Sequence, residues 1–96
     1  TLNDAAFAEF AQGLARRMKY DHEGSLQQKI AFGYRVATSK KPRPETLKEL
    51  VLTFQDVELS YKKNPKQMKG MAGTADGAAY TVIASLILNL DATLSK

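Results

Sequence analysis

Apolar residues recur along this chain at two densities, and the contrast predicts its architecture. In Ala75–Leu94 (ADGAAYTVIASLILNLDATL) almost every helical face is apolar. A helix apolar all round is a buried helix, so the other segments are expected to wrap it. Those segments are amphipathic. Phe7, Phe10, Ala11, Leu14 and Met18 repeat at helical spacing after Asn3, a first-turn cap, and predict a helix over residues 4–20. Asp21-His22-Glu23-Gly24 breaks that pattern. Ser25 and Gln28 then form a capping-box signature for a second helix running to residue 39. Its expected stripe is Leu26, Ile30, Gly33, Tyr34 and Ala37, broadened by Phe32 and Val36. A mid-helix glycine costs about 1 kcal/mol relative to Ala, so Gly33 points to a close helix approach.

Lys40-Lys41-Pro42-Arg43-Pro44 reads as a connector, with Pro44 in the first turn of a third helix. Leu47, Leu50, Val51, Phe54, Val57 and Tyr61 trace one face of that helix over several turns. Asn64-Pro65 predicts the cap and first turn of a short helix with Met68, Met71 and Ala72 inward. The closing helix is expected to begin between residues 74 and 78, capped by Thr74 or Asp76, and to reach residue 91. The fold class that follows is all-α: a compact bundle of four main helices plus one short helix around a buried C-terminal helix.

Composition narrows the picture. Ninety-six residues make one domain, 1–96, and 44% hydrophobic with 25% charged residues is an ordinary globular balance. The absence of cysteine excludes disulfides, thiolate metal sites and covalent haem attachment within these residues. The apolar run over residues 78–88 falls well short of the roughly 20 residues that cross a bilayer, so no membrane span is expected. The chain opens at Thr1 without an initiator Met or leader pattern, and reads as the C-terminal fragment of a larger multidomain protein.

Candidate chemistry is sparse. His22 beside Asp21 and Glu23 lacks the three or four convergent ligands of a closed metal site and reads as a solvated loop histidine. Met18, Met68 and Met71 read as core packing rather than haem ligands. The ten carboxylates are scattered over exposed faces, with no pair poised for acid–base work and no Ser, His and Asp arrangement, so no catalytic residue is assigned. Asn89 and Asp91 read as partners of backbone groups.

The basic residues are the remaining candidates. A net charge of +4 favours anionic partners weakly. No acid interrupts residues 24–44, where Lys29, Arg35, Lys40, Lys41 and Arg43 accumulate, and a second acid-free group holds Lys62, Lys63, Lys66 and Lys69. Lys40, Lys41, Arg43, Lys62 and Lys63 are therefore the candidate anion or partner contacts, although Lys40, Lys41, Lys62 and Lys63 also suit the negative ends of the helices they follow. The two groups flank the third helix, roughly 25 Å apart at about 1.5 Å rise per residue. That separation argues against a single nucleic-acid groove.

Residues 30–51 (IAFGYRVATSKKPRPETLKELV), 61–71 (YKKNPKQMKGM) and 75–94 carry a resemblance. Tyr34-Arg35-Val36-Ala37, then Lys41-Pro42 and Pro44-Glu45, and in the last helix Asp76, Ala78-Ala79-Tyr80-Thr81 and Leu88-Asn89-Leu90-Asp91 set the pattern. It resembles the C-terminal domain of unknown function of large secreted planctomycete-type proteins, which often carry a cytochrome-c-like domain. Gly77, Ala92 and the short loop 70–74 depart from that pattern. The resemblance implies a periplasmic or secreted location and a non-catalytic accessory role, with haem elsewhere in the parent chain and none in this fragment. The expected partners are the remainder of its own chain or another protein; nucleic acid or another polyanion is the alternative reading.

Overall fold

The computed structural model describes residues 5–64, 66 and 74–94, the last four as backbone only. Four helices follow in order: α1 (Ala5–Tyr20), α2 (Leu26–Thr38), α3 (Pro44–Lys63) and α4 (Ala75–Leu94), with no strand among the described residues. The short helix expected after Asn64, with Met68, Met71 and Ala72, and the Asn3 cap fall outside the described residues.

The helix ends follow local side-chain chemistry. Before α2, the Gln28 backbone N–H donates to Ser25 Oγ at 3.2 Å and the Ser25 N–H donates to Gln28 Oε1 at 2.8 Å, the reciprocal capping box. That helix stops where Ser39 turns left-handed at φ 63°, its N–H closing on the Arg35 carbonyl at 2.8 Å. Pro44 opens α3, where a missing N–H costs nothing. Asn64 closes α3, donating its N–H to the Ser60 carbonyl at 3.0 Å. Thr74 Oγ1 accepts the Gly77 N–H at 3.0 Å and so caps α4.

α4 packs against all three other helices, most extensively α1 and α3, and among the described residues the α1 and α3 backbones make no close approach. Ala78, Ala79, Tyr80, Ile83, Ala84 and Ile87 of α4 are buried with Leu14, Met18, Ile30, Tyr34, Leu50 and Phe54. The Phe54 and Tyr80 rings meet edge to face at 4.7 Å, tying α3 to α4. The expected axis is thus present, but its wrapping is incomplete: Leu86 and Leu90 remain 39% and 40% exposed. Thr81, Ser85 and Asn89 hydrogen-bond to the carbonyls four residues back, at 3.0, 3.0 and 2.9 Å, so these polar side chains are satisfied within the helix itself.

Three apolar residues assigned to stripes lie elsewhere. Phe10 is 69% exposed while Ala15 is buried in its place; at about 100° per residue, Phe10 sits a quarter-turn from the centre of the Ala11, Leu14, Ala15 and Met18 face. On α2, Ile30, Gly33 and Tyr34 are buried, with Leu26 and Ala37 partly so. Phe32 and Val36 stand roughly 140° and 100° round from that face and point outward.

Two contacts clamp the bundle. Gly33 lies directly on the thioether of the fully buried Met18, and a Cβ at this position would overlap Sδ and Cγ. Lys19 Nζ, near the end of α1, bonds Asp76 Oδ2 in the first turn of α4 at 3.2 Å, which ties those two helix ends together. Partial burial opposes the Asp76 charge, but hydrogen bonds from Thr74 and Lys19 outweigh it and hold the carboxyl below its ordinary range. The same hydrogen bond raises the Lys19 ammonium.

Gly33→Ala is expected to destabilise the domain by about 1–3 kcal/mol through overpacking, despite a gain in helix propensity. In a Met18→Ala background the same change should be neutral or stabilising by up to about 1 kcal/mol, and urea unfolding of the double-mutant cycle reads the difference. Folding depresses the Asp76 pKa, so its contribution is present above the unfolded value and disappears as pH falls through the folded one. Asp76→Asn should therefore cost on the order of 0.5 kcal/mol at neutral pH, the pair being partly exposed, and should flatten the acid limb of a stability–pH profile. An unchanged acid limb would show the clamp to be silent.

Candidate anion-binding groove

The outward face of α2 carries the groove. Spacings of three and four residues bring Gln28, Phe32, Arg35, Val36 and Ser39 onto one side of the helix, opposite Ile30 and Tyr34. Residues 21–25 fold the chain back from α1 so that the His22 ring stacks on Phe32, with centroids 4.9 Å apart and planes 9° from parallel. The Arg17 guanidinium lies 5.8 Å from the Phe32 centroid, within cation–π range. Its Nε also meets Asp21 Oδ2 at 3.3 Å. His22, Gln28, Ala31, Phe32, Arg35, Val36, Ser39 and Lys41 line an open groove of about 800 Å³.

This arrangement corrects the reading of His22 as a solvated loop side chain: it is half-buried against an aromatic ring. Periodicity marks neither Phe32 nor His22 as a binding residue. Four-residue spacing from Gln28 to Phe32 and Val36 was the available signal, and it needed the buried face of α2 to be fixed first. Arg35 and Lys41 supply positive charge to the groove, and its lining holds no carboxylate.

The five basic residues singled out from the sequence do not converge. Lys40, Lys41 and Arg43 occupy the exposed α2–α3 connector; Lys62 and Lys63 occupy the exposed last turn of α3. A twenty-residue helix separates the groups by about 30 Å. Of the five, Lys41 alone lines the groove. Lys29 is engaged elsewhere, donating from Nζ to the Lys19 carbonyl at the end of α1 at 2.6 Å.

The remaining titratable cluster is structural in its contacts. Lys19 and Asp76 neutralise each other across α1 and α4, and burial, reinforced by the nearby Asp76 charge, pushes the Tyr80 phenol upward. Met18 is packed on Gly33 in the core. Among the described residues no three His, Cys, Asp or Glu side chains gather as a metal site would require, and no helix is long and apolar enough to cross a membrane. The chain matches no protein-family model, no curated protein and no solved structure.

Proposed function

We propose that this domain is a non-catalytic helical interaction module whose ligand-facing surface is the α2 groove, and that the ligand is anionic. The observation that carries this reading is the meeting of Arg35 and Lys41 beside the His22–Phe32 stack in a groove lined by no carboxylate. A cationic lining with no internal counter-charge attracts anions and rejects cations over a Debye length. Arg35 contributes a planar fork suited to phosphate or carboxylate, and Lys41 a mobile point charge. Neither Lys19 nor Asp76 lines the groove, so its occupant makes no demand on that clamp. The segment resemblance supports placing such a module in an exported multidomain protein with a cytochrome-c-like haem domain elsewhere in its chain.

A fluorescent polyanion titrated by anisotropy tests the groove. With two or three anionic contacts, affinity should fall roughly tenfold between about 50 and 200 mM salt. Arg35→Glu with Lys41→Glu should remove binding, while Lys62→Glu with Lys63→Glu should leave it within about twofold, since those side chains stand roughly 30 Å away. Equal losses from the two pairs would reduce the effect to net charge alone. The complete open reading frame tests the context: an export signal and a Cys-x-x-Cys-His motif upstream are expected, and a frame without either removes the exported, haem-associated placement.

A further inference from the structure

We propose that the α2 groove takes single-stranded nucleic acid, a base extending the His22–Phe32 stack while Arg35 and Lys41 hold the flanking phosphates. This rests on the anionic reading of the same groove and adds the chemistry that chooses among anions. Carboxylates, sulfates and phosphates would all use the two cations. Only a ligand with flat π-faces uses the rings as well. His22 and Phe32 are already parallel at 4.9 Å, and the Arg17 guanidinium lies 5.8 Å from the Phe32 centroid. Arg17 pairs with Asp21 at 3.3 Å and lies outside the groove lining, so it is assigned no phosphate.

An acidic peptide is the weaker fit. Its carboxylates would pair with Arg35 and Lys41 but leave two half-buried aromatic rings without a matching surface. A duplex is weaker still, because the next basic group, Lys62 and Lys63, lies about 30 Å along α3. A groove of about 800 Å³ is on the scale of small-ligand sites, matching unstacked nucleotides rather than a helical groove. Once stacking and phosphate contacts take His22, Arg35 and Lys41, base edges meet Gln28, whose Oε1 is committed to the Ser25 N–H, and Ser39. Binding should therefore tolerate sequence, since every base presents a π-face.

The experiment titrates the whole chain with a labelled oligothymidylate of about ten nucleotides, a hybridised duplex of the same length, inorganic polyphosphate and a poly-glutamate peptide. Oligothymidylate is expected to bind tightest. Phe32→Leu and, separately, His22→Ala should weaken oligothymidylate about tenfold and change polyphosphate less than about twofold. The ring protons of His22 and Phe32 should shift on adding oligothymidylate to the unaltered protein, which reads stacking even where a variant folds poorly. Polyphosphate and oligothymidylate binding equally, with neither ring variant mattering and no ring shift, would overturn the nucleic-acid assignment while leaving the anionic groove standing. Tighter binding of poly-glutamate would do the same. No binding of any anion would overturn both.

Discussion

The absent side chain at Gly33 is the constraint on which both the core and the groove depend. Because nothing projects from its Cα, α2 closes directly onto Met18 of α1, and that thioether becomes fully buried. The neighbouring residues inherit the register. Arg17, one residue before Met18, lies over Phe32, one residue before Gly33. With α1 and α2 fixed at this distance, the short loop between them has little choice of path, and His22 stacks on the same ring. A mid-helix glycine costs about 1 kcal/mol in propensity, and the burial of one Met side chain is worth roughly 1.5–3 kcal/mol. The exchange favours closure, and the groove is its outward consequence.

The second determinant is α4, which accommodates polar residues in an otherwise apolar helix by turning them on its own backbone. Thr81, Ser85 and Asn89 follow one another at four-residue spacing, each donating to the carbonyl below it. That frees the opposite side, with Ile83 and Ile87 fully buried, to face the core. The clamp from Lys19 to Asp76 then fixes the start of α4 against the end of α1, close to the Tyr80 ring that meets Phe54. Core and ends are held by different forces, burial for one and charge-assisted hydrogen bonds for the other.

What the sequence made legible is whatever depends on residues close in the chain. The Ser25–Gln28 box, Pro44 at the head of α3 and the Leu47 to Tyr61 stripe are local chemistry, and each predicts its structure directly, while for α4 the same chemistry narrows the cap to Thr74 or Asp76. Phe10, Phe32 and Val36 were misassigned for a physical reason: an apolar residue beside a stripe broadens it only if a neighbouring helix reaches that far round. α2 is covered on the side of Ile30 and Tyr34 and left open on the other. The groove was illegible because it joins residues from the 21–25 loop, α2 and the connector, and no spacing within one element encodes that meeting.

Charge shows the same limit. Counted along the chain, Lys29, Arg35, Lys40, Lys41 and Arg43 form one acid-free basic tract. In space the tract divides by what each side chain can reach. Lys29 is drawn onto the last turn of α1, where unsatisfied carbonyls and the negative end of the helix dipole accept its ammonium. Arg43 sits at the head of α3 without a side-chain cap bond. Of this tract, Arg35 and Lys41 line the groove that holds the ring stack. A run of positive charge in a helical chain is thus a poor measure of an anion site, because helix C-termini compete for the same cations. The useful measure is the charge left over once those termini have taken theirs, and here that residue of charge lies beside the aromatic pair.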